Sequence, residues 1–329
     1  MTPIMPCFYP TTVVLIDDDF FMLKNLVPGL DLEDKPHKAF HDAHEGLAFI
    51  NQDQYRETFV DRLAACDEGF EGDSLSFSPR CLLRELKSPK RFEQVSVLVV
   101  DYEMPGMNGI DLCKKIENPF VKKILLTGVA DENVAVEAFN KGLICSYIRK
   151  HAPNFQEQLQ DAVIRAQQDY FRELFYFPLQ TLKKRPESTA LVDPVFIHYF
   201  NQLIEKDRIQ EFYLAESTGS FLMVGPDQKL YSLITLDDGL INAFLESRCV
   251  EALEPEYILA LEKRDFVPCY YNPFKAPYLE TNELKNFLHE PIVLKGEKKS
   301  FYTVFGQGFI QISSQDIVSW NSVKKLKAS

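Results

Sequence analysis

The chain has 329 residues, 46% of them hydrophobic and 12% aromatic, which is enough apolar material for two domains with buried cores and excludes wholesale disorder. Its formal net charge is -12, from 36 Lys+Arg against 48 Asp+Glu, which argues against a broad electrostatic grip on nucleic acid or an anionic membrane. No apolar run approaches the roughly 20 residues of a membrane-spanning helix. The first residues lack the basic start and apolar core of a signal peptide. Seven cysteines are scattered without a Cys-x-x-Cys pair, as expected of reduced thiols in a cytoplasmic protein.

In chain order, Val13 to Ile16 is a short apolar run stopped by Asp17, Asp18 and Asp19. Val97 to Val100 is a second, stopped by Asp101. Lys123 to Leu126 is a third, ending at Thr127, and Cys145 to Ile148 a fourth, ending near Lys150. Amphipathic stretches lie between them, among them Gly109 to Ile116 and Asn133 to Lys141. Short apolar strands alternating with helices predict a doubly wound parallel α/β sheet, five-stranded once a further strand near His37 is counted. Residues 52–94 break the rhythm and are expected to be an insertion. From Leu159 through Val163, Ala166 and Tyr170 to Leu174 the apolar spacing is helical, predicting one long helix that ends near Pro178.

Lys183-Lys184-Arg185-Pro186 reads as a polar connector, and the chain beyond it mixes helices and strands without alternation. A helix is expected over 193–206, and strands over 212–215, 221–224 and 230–236. Further helices are expected over 240–245, 257–263 and 283–288, and a last hairpin pairs 301–305 with 309–312. The expected organisation is therefore a domain over 1–155 with its insertion at about 52–94, a linker helix and connector over 156–186, and an α+β domain over 187–329.

In a sheet of this kind ligands collect at the carboxyl ends of the strands. Asp17, Asp18 and Asp101 stand at two such ends, Thr127 and Lys150 at two more. Carboxylates crowded together repel, and a divalent cation resolves the repulsion most cheaply. Oxygen-only ligands favour Mg²⁺, and an acid cluster with Mg²⁺ and a lysine suits the handling of a phosphoryl group.

Asp101-Tyr-Glu-Met-Pro-Gly-Met-Asn-Gly109 resembles the receiver-domain signature, an Asp followed by x-x-Met-Pro-x-Met-x-Gly. Leu15-Ile16-Asp17-Asp18-Asp19 resembles the acidic pair after that family's first strand, Thr127 its switch Thr/Ser, and Tyr147-Ile148-Arg149-Lys150 its aromatic-x-x-Lys. The resemblance, to two-component response regulators with a CheY-like receiver, covers residues 1 to about 155. It implies that Asp101 accepts a phosphoryl group from a sensor histidine kinase or a histidine phosphotransfer protein. It also implies Mg²⁺ held by Asp17, Asp18, Asp101 and the backbone carbonyl of Glu103. Lys150 would pair with the acyl phosphate, Thr127 would donate to a phosphoryl oxygen, and Tyr147 would change rotamer with it. Phosphorylation-dependent homodimerisation is expected, and no membrane partner.

Three features depart from the family. His151 stands where the family has a proline after the lysine, the insertion enlarges the domain, and Glu103 adds an acid two positions after the phosphoacceptor. Asp17-x-Asp19 also resembles the haloacid-dehalogenase motif, but Phe21 stands where that motif has Thr or Val, and the Met-Pro-Gly-Met-Asn-Gly run has no place in it.

The second half carries no helix-turn-helix, zinc-finger spacing or Gly-rich phosphate loop. It shares the acid excess and gathers no His/Asp/Glu/Cys constellation, which favours an atypical binding output, toward a nucleic acid or a protein, over an enzyme. Quorum-sensing regulators with outputs of another kind are one family in view. An enzymatic output of unfamiliar type, and a pseudo-receiver acting without phosphorylation, are the alternatives.

Overall fold

The computed structural model describes residues 3–32, 35–52, 84–128, 132–176, 190–216, 218–269, 281–307, 317, 318, 320 and 323. Most of the expected insertion, the region of Pro178 and the connector at 183–186 lie outside them. The chain divides into two compact units that do not follow chain order: residues 9–62, 88–176 and 318–329 form one, and residues 1–8, 63–87 and 177–317 the other.

The first unit is built on a five-stranded parallel sheet. Its strands are β2 (Thr12–Ile16), β3 (His37–Phe40), β4 (Val95–Asp101), β5 (Lys122–Thr127) and β6 (Ser146–Arg149), in the order β3-β2-β4-β5-β6. All residues of β2 and β4 are buried, because helices cover both faces. Alternation sorts the side chains. Val14, Ile16, Leu98, Val100 and Leu125 pack on one face with α2 (Ala43–Ile50), α4 (Gly109–Lys115) and α5 (Glu132–Asn140). Val13, Leu15, Val97, Val99, Ile124 and Leu126 pack on the other, with α1 (Phe20–Gly29) and α6 (Phe155–Leu174). The short α3 (Lys90–Glu93) leads into β4.

Helix α6 is the long helix expected from the spacing. It ends at Leu174, and Leu159, Ala162, Val163 and Ala166 bury its stripe against β4, β5 and β6. Its first half is thus a covering helix of the sheet. Arg91, fully buried, donates to the carbonyls of Ser88 and Val318 and lies 4.2 Å over the Phe92 ring. Trp320 meets Phe92 edge-on at 5.9 Å. A piece of chain from near the C-terminus is thereby packed into this unit.

The second unit holds a six-stranded antiparallel sheet. Its strands are β1 (Cys7–Phe8), β7 (Glu211–Glu216), β8 (Ser220–Val224), β9 (Leu230–Leu236), β12 (Ile292–Lys295) and β13 (Ser300–Gly306), in the order β1-β7-β8-β9-β13-β12. A two-stranded ribbon pairs β10 (Val267–Pro268) with β11 (Leu288–His289). Helix α7 (Pro194–Lys206) starts at Asp193, whose carboxylate accepts from the N–H of Val195 and Phe196. The same carboxylate accepts from the Glu297 N–H at 2.8 Å, tying the helix to the turn before β13. Phe196 and Phe200 of α7 pack with Phe212, Phe221 and Phe301 of the sheet, with ring centroids 4.7–6.4 Å apart. Helices α8 (Asp238–Leu245) and α9 (Pro255–Lys263) pack on each other.

Three expectations are corrected here. The hairpin of 301–305 with 309–312 fails on its described arm, since β9 and β12 occupy both sides of β13. Residues 309–312 lie outside the described residues. The helix expected at 283–288 is a 3₁₀ turn, Thr281–Phe287, and Leu288 already belongs to β11. Cys7–Phe8, placed with the first domain, instead pairs with Phe212 and Tyr213 at the edge of the other unit's sheet.

Candidate functional site

The strand order reverses between β2 and β4, and a crevice forms outside the carboxyl ends at such a point. Ile16 pairs in register with Val100, so Asp17 and Asp101 leave the sheet side by side. The carboxylate oxygens of Asp17, Asp18 and Asp101 come within 4.8 Å of one another. Asp17 and Asp101 are buried, whereas Asp18 faces solvent. The third acid of the run does separate work: Asp19 caps α1 by accepting from the N–H of Phe21 and Met22, and donates its own N–H to Asp17 at 2.9 Å. The cap fixes the turn that holds Asp17 inward and leaves Asp18 outward.

Lys150 follows β6 directly, and its N–H donates to the Thr127 carbonyl at 3.0 Å. That bond ties the lysine's loop to the end of β5. Its Nζ lies 2.8 Å from Asp17 Oδ2 and 2.8 Å from Asp101 Oδ1. Burial pushes the Asp101 carboxyl above its ordinary value, with the Asp17 charge adding to it and Lys150 opposing. Burial pulls Lys150 down, but its hydrogen bonds to Asp101 and Asp17 outweigh this and leave it raised. Lys150 is therefore a fixed cation at neutral pH, set between two acids. His151 follows without a cis bond, for the described residues contain none.

Thr127 is fully buried, and its hydroxyl has no hydrogen-bond partner among the described residues. Buried hydroxyls without a partner are uncommon, and this one stands at the end of the strand beside Asp101. Tyr147 pairs with Leu125 and is half-buried, meeting Phe139 of α5 edge-on at 6.3 Å. Glu103 is exposed in the loop after β4.

That loop shows what the Met-Pro-Gly-Met-Asn-Gly run does. Met104 and Met107 are buried in the core beneath it, and Gly106 turns with φ +79°. Asn108 caps α4 by accepting from the Asp111 N–H. Gly109 donates to the Tyr102 carbonyl at 2.9 Å. A Cβ at Gly109 would lie 2.2 Å from the Asp101 carbonyl oxygen and 2.9 Å from Leu125. The glycine lets α4 start against the backbone of Asp101. The sequence pattern marks Gly109, but its close approach to Asp101 shows only in three dimensions.

Three carboxylates with oxygen donors only, close together and partly open to solvent, fit a hard divalent cation such as Mg²⁺. Among the described residues this is the one group of three or more potential metal-binding side chains.

Residues 82–163 match the family model of the response regulator receiver domain. Over nearly its whole length the chain is similar to the Legionella pneumophila response regulator LqsR, with 27% identity and a TM-score of 0.76, covering 98% of this chain and 95% of that one. Shorter likenesses include a Rhodopirellula baltica adenylate cyclase structure (22% identity, TM-score 0.35, 54% of this chain and 99% of that one). A Clostridium thermocellum receiver domain is another (20% identity, TM-score 0.33, 48% and 94%). No curated protein matches the chain. With the strand order, the acid cluster at its switch point and the family match in agreement, the chain carries the receiver domain of a two-component response regulator.

Proposed function

We propose that the chain is a phosphorylation-controlled response regulator in which Asp101 is the phosphoacceptor. The observation that carries this reading is Lys150 Nζ set 2.8 Å from both Asp17 and Asp101 in the three-carboxylate cluster. A carboxylate oxygen of Asp101 attacks the phosphorus of a phosphohistidine on a sensor kinase or phosphotransfer protein. The new P–O bond forms as the P–N bond breaks, and the electron pair leaves with the imidazole nitrogen. Lys150 moves from charge partner of the free carboxylate to charge partner of the acyl phosphate. Thr127 gains in the phosphoryl oxygens the acceptor that its buried hydroxyl lacks, and Tyr147 follows the movement of its loop.

Asp17, Asp18 and Asp101, with the backbone carbonyl of Glu103, are the residues that would hold Mg²⁺. The bound ion would supply positive charge against the anionic oxygens of the transferring group. The output is a binding activity in the cytoplasm, toward a protein or a nucleic acid, controlled by dimerisation of the receiver. Residues 9–155 carry the phosphoryl chemistry and residues 187–317 the output. The similarity to LqsR extends through both parts, which supports reading them as one regulator. Incubation with acetyl phosphate and Mg²⁺ tests this. Wild type gains one phosphoryl mass and Asp101→Asn gains none; equal labelling of the variant would sink the assignment.

A further inference from the structure

Helix α7 turns one stripe toward the end of the antiparallel sheet: Tyr199, Gln202, Leu203 and Lys206, spaced i, i+3, i+4 and i+7. Opposite the stripe lie Ile292 of β12 and residues 303–305 of β13, and between them is a cavity of about 410 Å³. That volume falls within the range of small-molecule sites. Every residue lining it belongs to the second unit. Two turns of helix separate Tyr199 from Lys206, so the cavity runs ~10 Å along α7. Its two ends differ. At the inner end Leu203, Thr303 and Val304 are buried. There the Tyr199 hydroxyl oxygen is also buried and has no hydrogen-bond partner among the described residues. The Thr303 hydroxyl donates elsewhere, to the Ile292 carbonyl at 3.1 Å. Burial pushes the Tyr199 hydroxyl above its ordinary value, with Thr303 opposing and Asp207 adding, so it is a protonated donor at neutral pH. At the mouth Gln202, Lys206, Glu290 and Ile292 are exposed. The charged lining residues are one base, Lys206, and two acids, Asp207 and Glu290.

We propose that this cavity binds a small neutral molecule with an acceptor oxygen at one end of an apolar body, an aliphatic amide being the simplest case. The oxygen accepts from the Tyr199 hydroxyl, and the apolar body lies along Leu203, Ile292 and Phe305. A buried donor left without an acceptor is costly, so a ligand that supplies one is favoured over water loosely held there. The same lining disfavours a charged ligand. The base and one acid of the lining follow Tyr199 by two turns of helix, and Glu290 stands at the exposed mouth. A carboxylate at the inner end would therefore be buried without a cation beside it, under a net negative mouth. An ammonium in the same place would be buried without a carboxylate beside it. Such a site gives the output unit a ligand of its own, independent of the phosphoryl chemistry at Asp101.

Hexanamide titrated into the full chain, with its isoleucine methyl groups labelled with ¹³C, tests the proposal by nuclear magnetic resonance. The Ile292 methyl signal, identified by its loss in Ile292→Val, shifts and saturates in the millimolar range. Hexanoate and hexylamine have the same length but carry charge, and they bind at least about tenfold more weakly. Tyr199→Phe keeps the ring and removes only the hydroxyl. It weakens hexanamide binding about tenfold, and circular dichroism checks that it is folded. A titration that leaves the Ile292 signal in place overturns the proposal. So does a folded Tyr199→Phe chain that binds hexanamide as wild type does, or hexanoate that binds as tightly as hexanamide. No phosphoryl donor is present, so the assignment of Asp101 is untouched by either result.

Discussion

Thr127 holds a fully buried hydroxyl that has no hydrogen-bond partner among the described residues. Replacing it by a group of the same shape removes a desolvation penalty, so Thr127→Val leaves resting stability unchanged or raises it by about 1 kcal/mol in urea unfolding. Beryllofluoride is predicted to change hydrogen exchange around α5 in wild type, and the same variant to lose most of that change. An unchanged response would mean that the hydroxyl has no part in switching. Gly109 shows the opposite economy. Its Cβ would meet the Asp101 carbonyl at 2.2 Å, so Gly109→Ala destabilises by at least about 1–3 kcal/mol and lowers phosphorylation by moving Asp101. The acids, the lysine and this glycine stand in recognisable order in the sequence. The isolation of the Thr127 hydroxyl and the division of labour between Asp18 and Asp19 do not, because both depend on how side chains meet across strands.

Among the elements, β2, β4 and β5 are legible because their apolar runs are buried on both faces. Strand β3, His-Lys-Ala-Phe, lies at an edge with two exposed residues and gives almost no apolar signal. β12 is equally obscure, with Pro291 before it and exposed side chains along it. The 301–305 hairpin is mistaken because two apolar runs around glycines read as neighbours, when β13 takes its partners from earlier in the chain and from β12. Helix α8 carries a prediction about pH. Asp237 caps it by accepting from the Leu240 N–H and pairs with Lys299. Burial raises the Asp237 carboxyl, but the Lys299 hydrogen bond and the cap outweigh it and leave the pKa below the ordinary 3.8. A folded-state pKa below the unfolded one means that the ionised form stabilises the fold above pH 3.8. That contribution fades as pH falls through the lowered value. Asn keeps a capping side chain but loses the charge paired with Lys299, so Asp237→Asn is less stable than wild type near neutral pH, by up to about 1 kcal/mol, and the difference closes in acid. Paired thermal melts over that range read it; a difference that persists in acid would contradict the assignment.

At the scale of the molecule, each compact unit contains a terminal piece of the chain from the other's side: Cys7–Phe8 joins the antiparallel sheet, and Val318 and Trp320 pack with Arg91 and Phe92. Composition and spacing suggest a cut near residue 155 or 186, since neither reveals where a two-residue strand or a lone tryptophan will pack. A fragment of residues 9–176 is accordingly predicted to unfold at lower urea than the same unit within the full chain. Trp320→Ala in the full chain reproduces part of that loss. The fragment and the Trp320→Ala chain both lack the one tryptophan, so far-ultraviolet circular dichroism in urea reads all three. A fragment as stable as the full chain's receiver would show that the terminal segment contributes nothing.

That the Lys150-bridged acids form a phosphoacceptor site with Asp101 as nucleophile is tested most directly by locating the acyl phosphate. After acetyl phosphate and Mg²⁺ treatment, borohydride reduction converts a phosphorylated aspartate to homoserine, which peptide mass spectrometry assigns to one position. Conversion is predicted at Asp101 alone, lost when Mg²⁺ is withheld and strongly reduced in Lys150→Ala. Conversion at Asp17 or Asp18, or none in a folded wild-type chain, would contradict it.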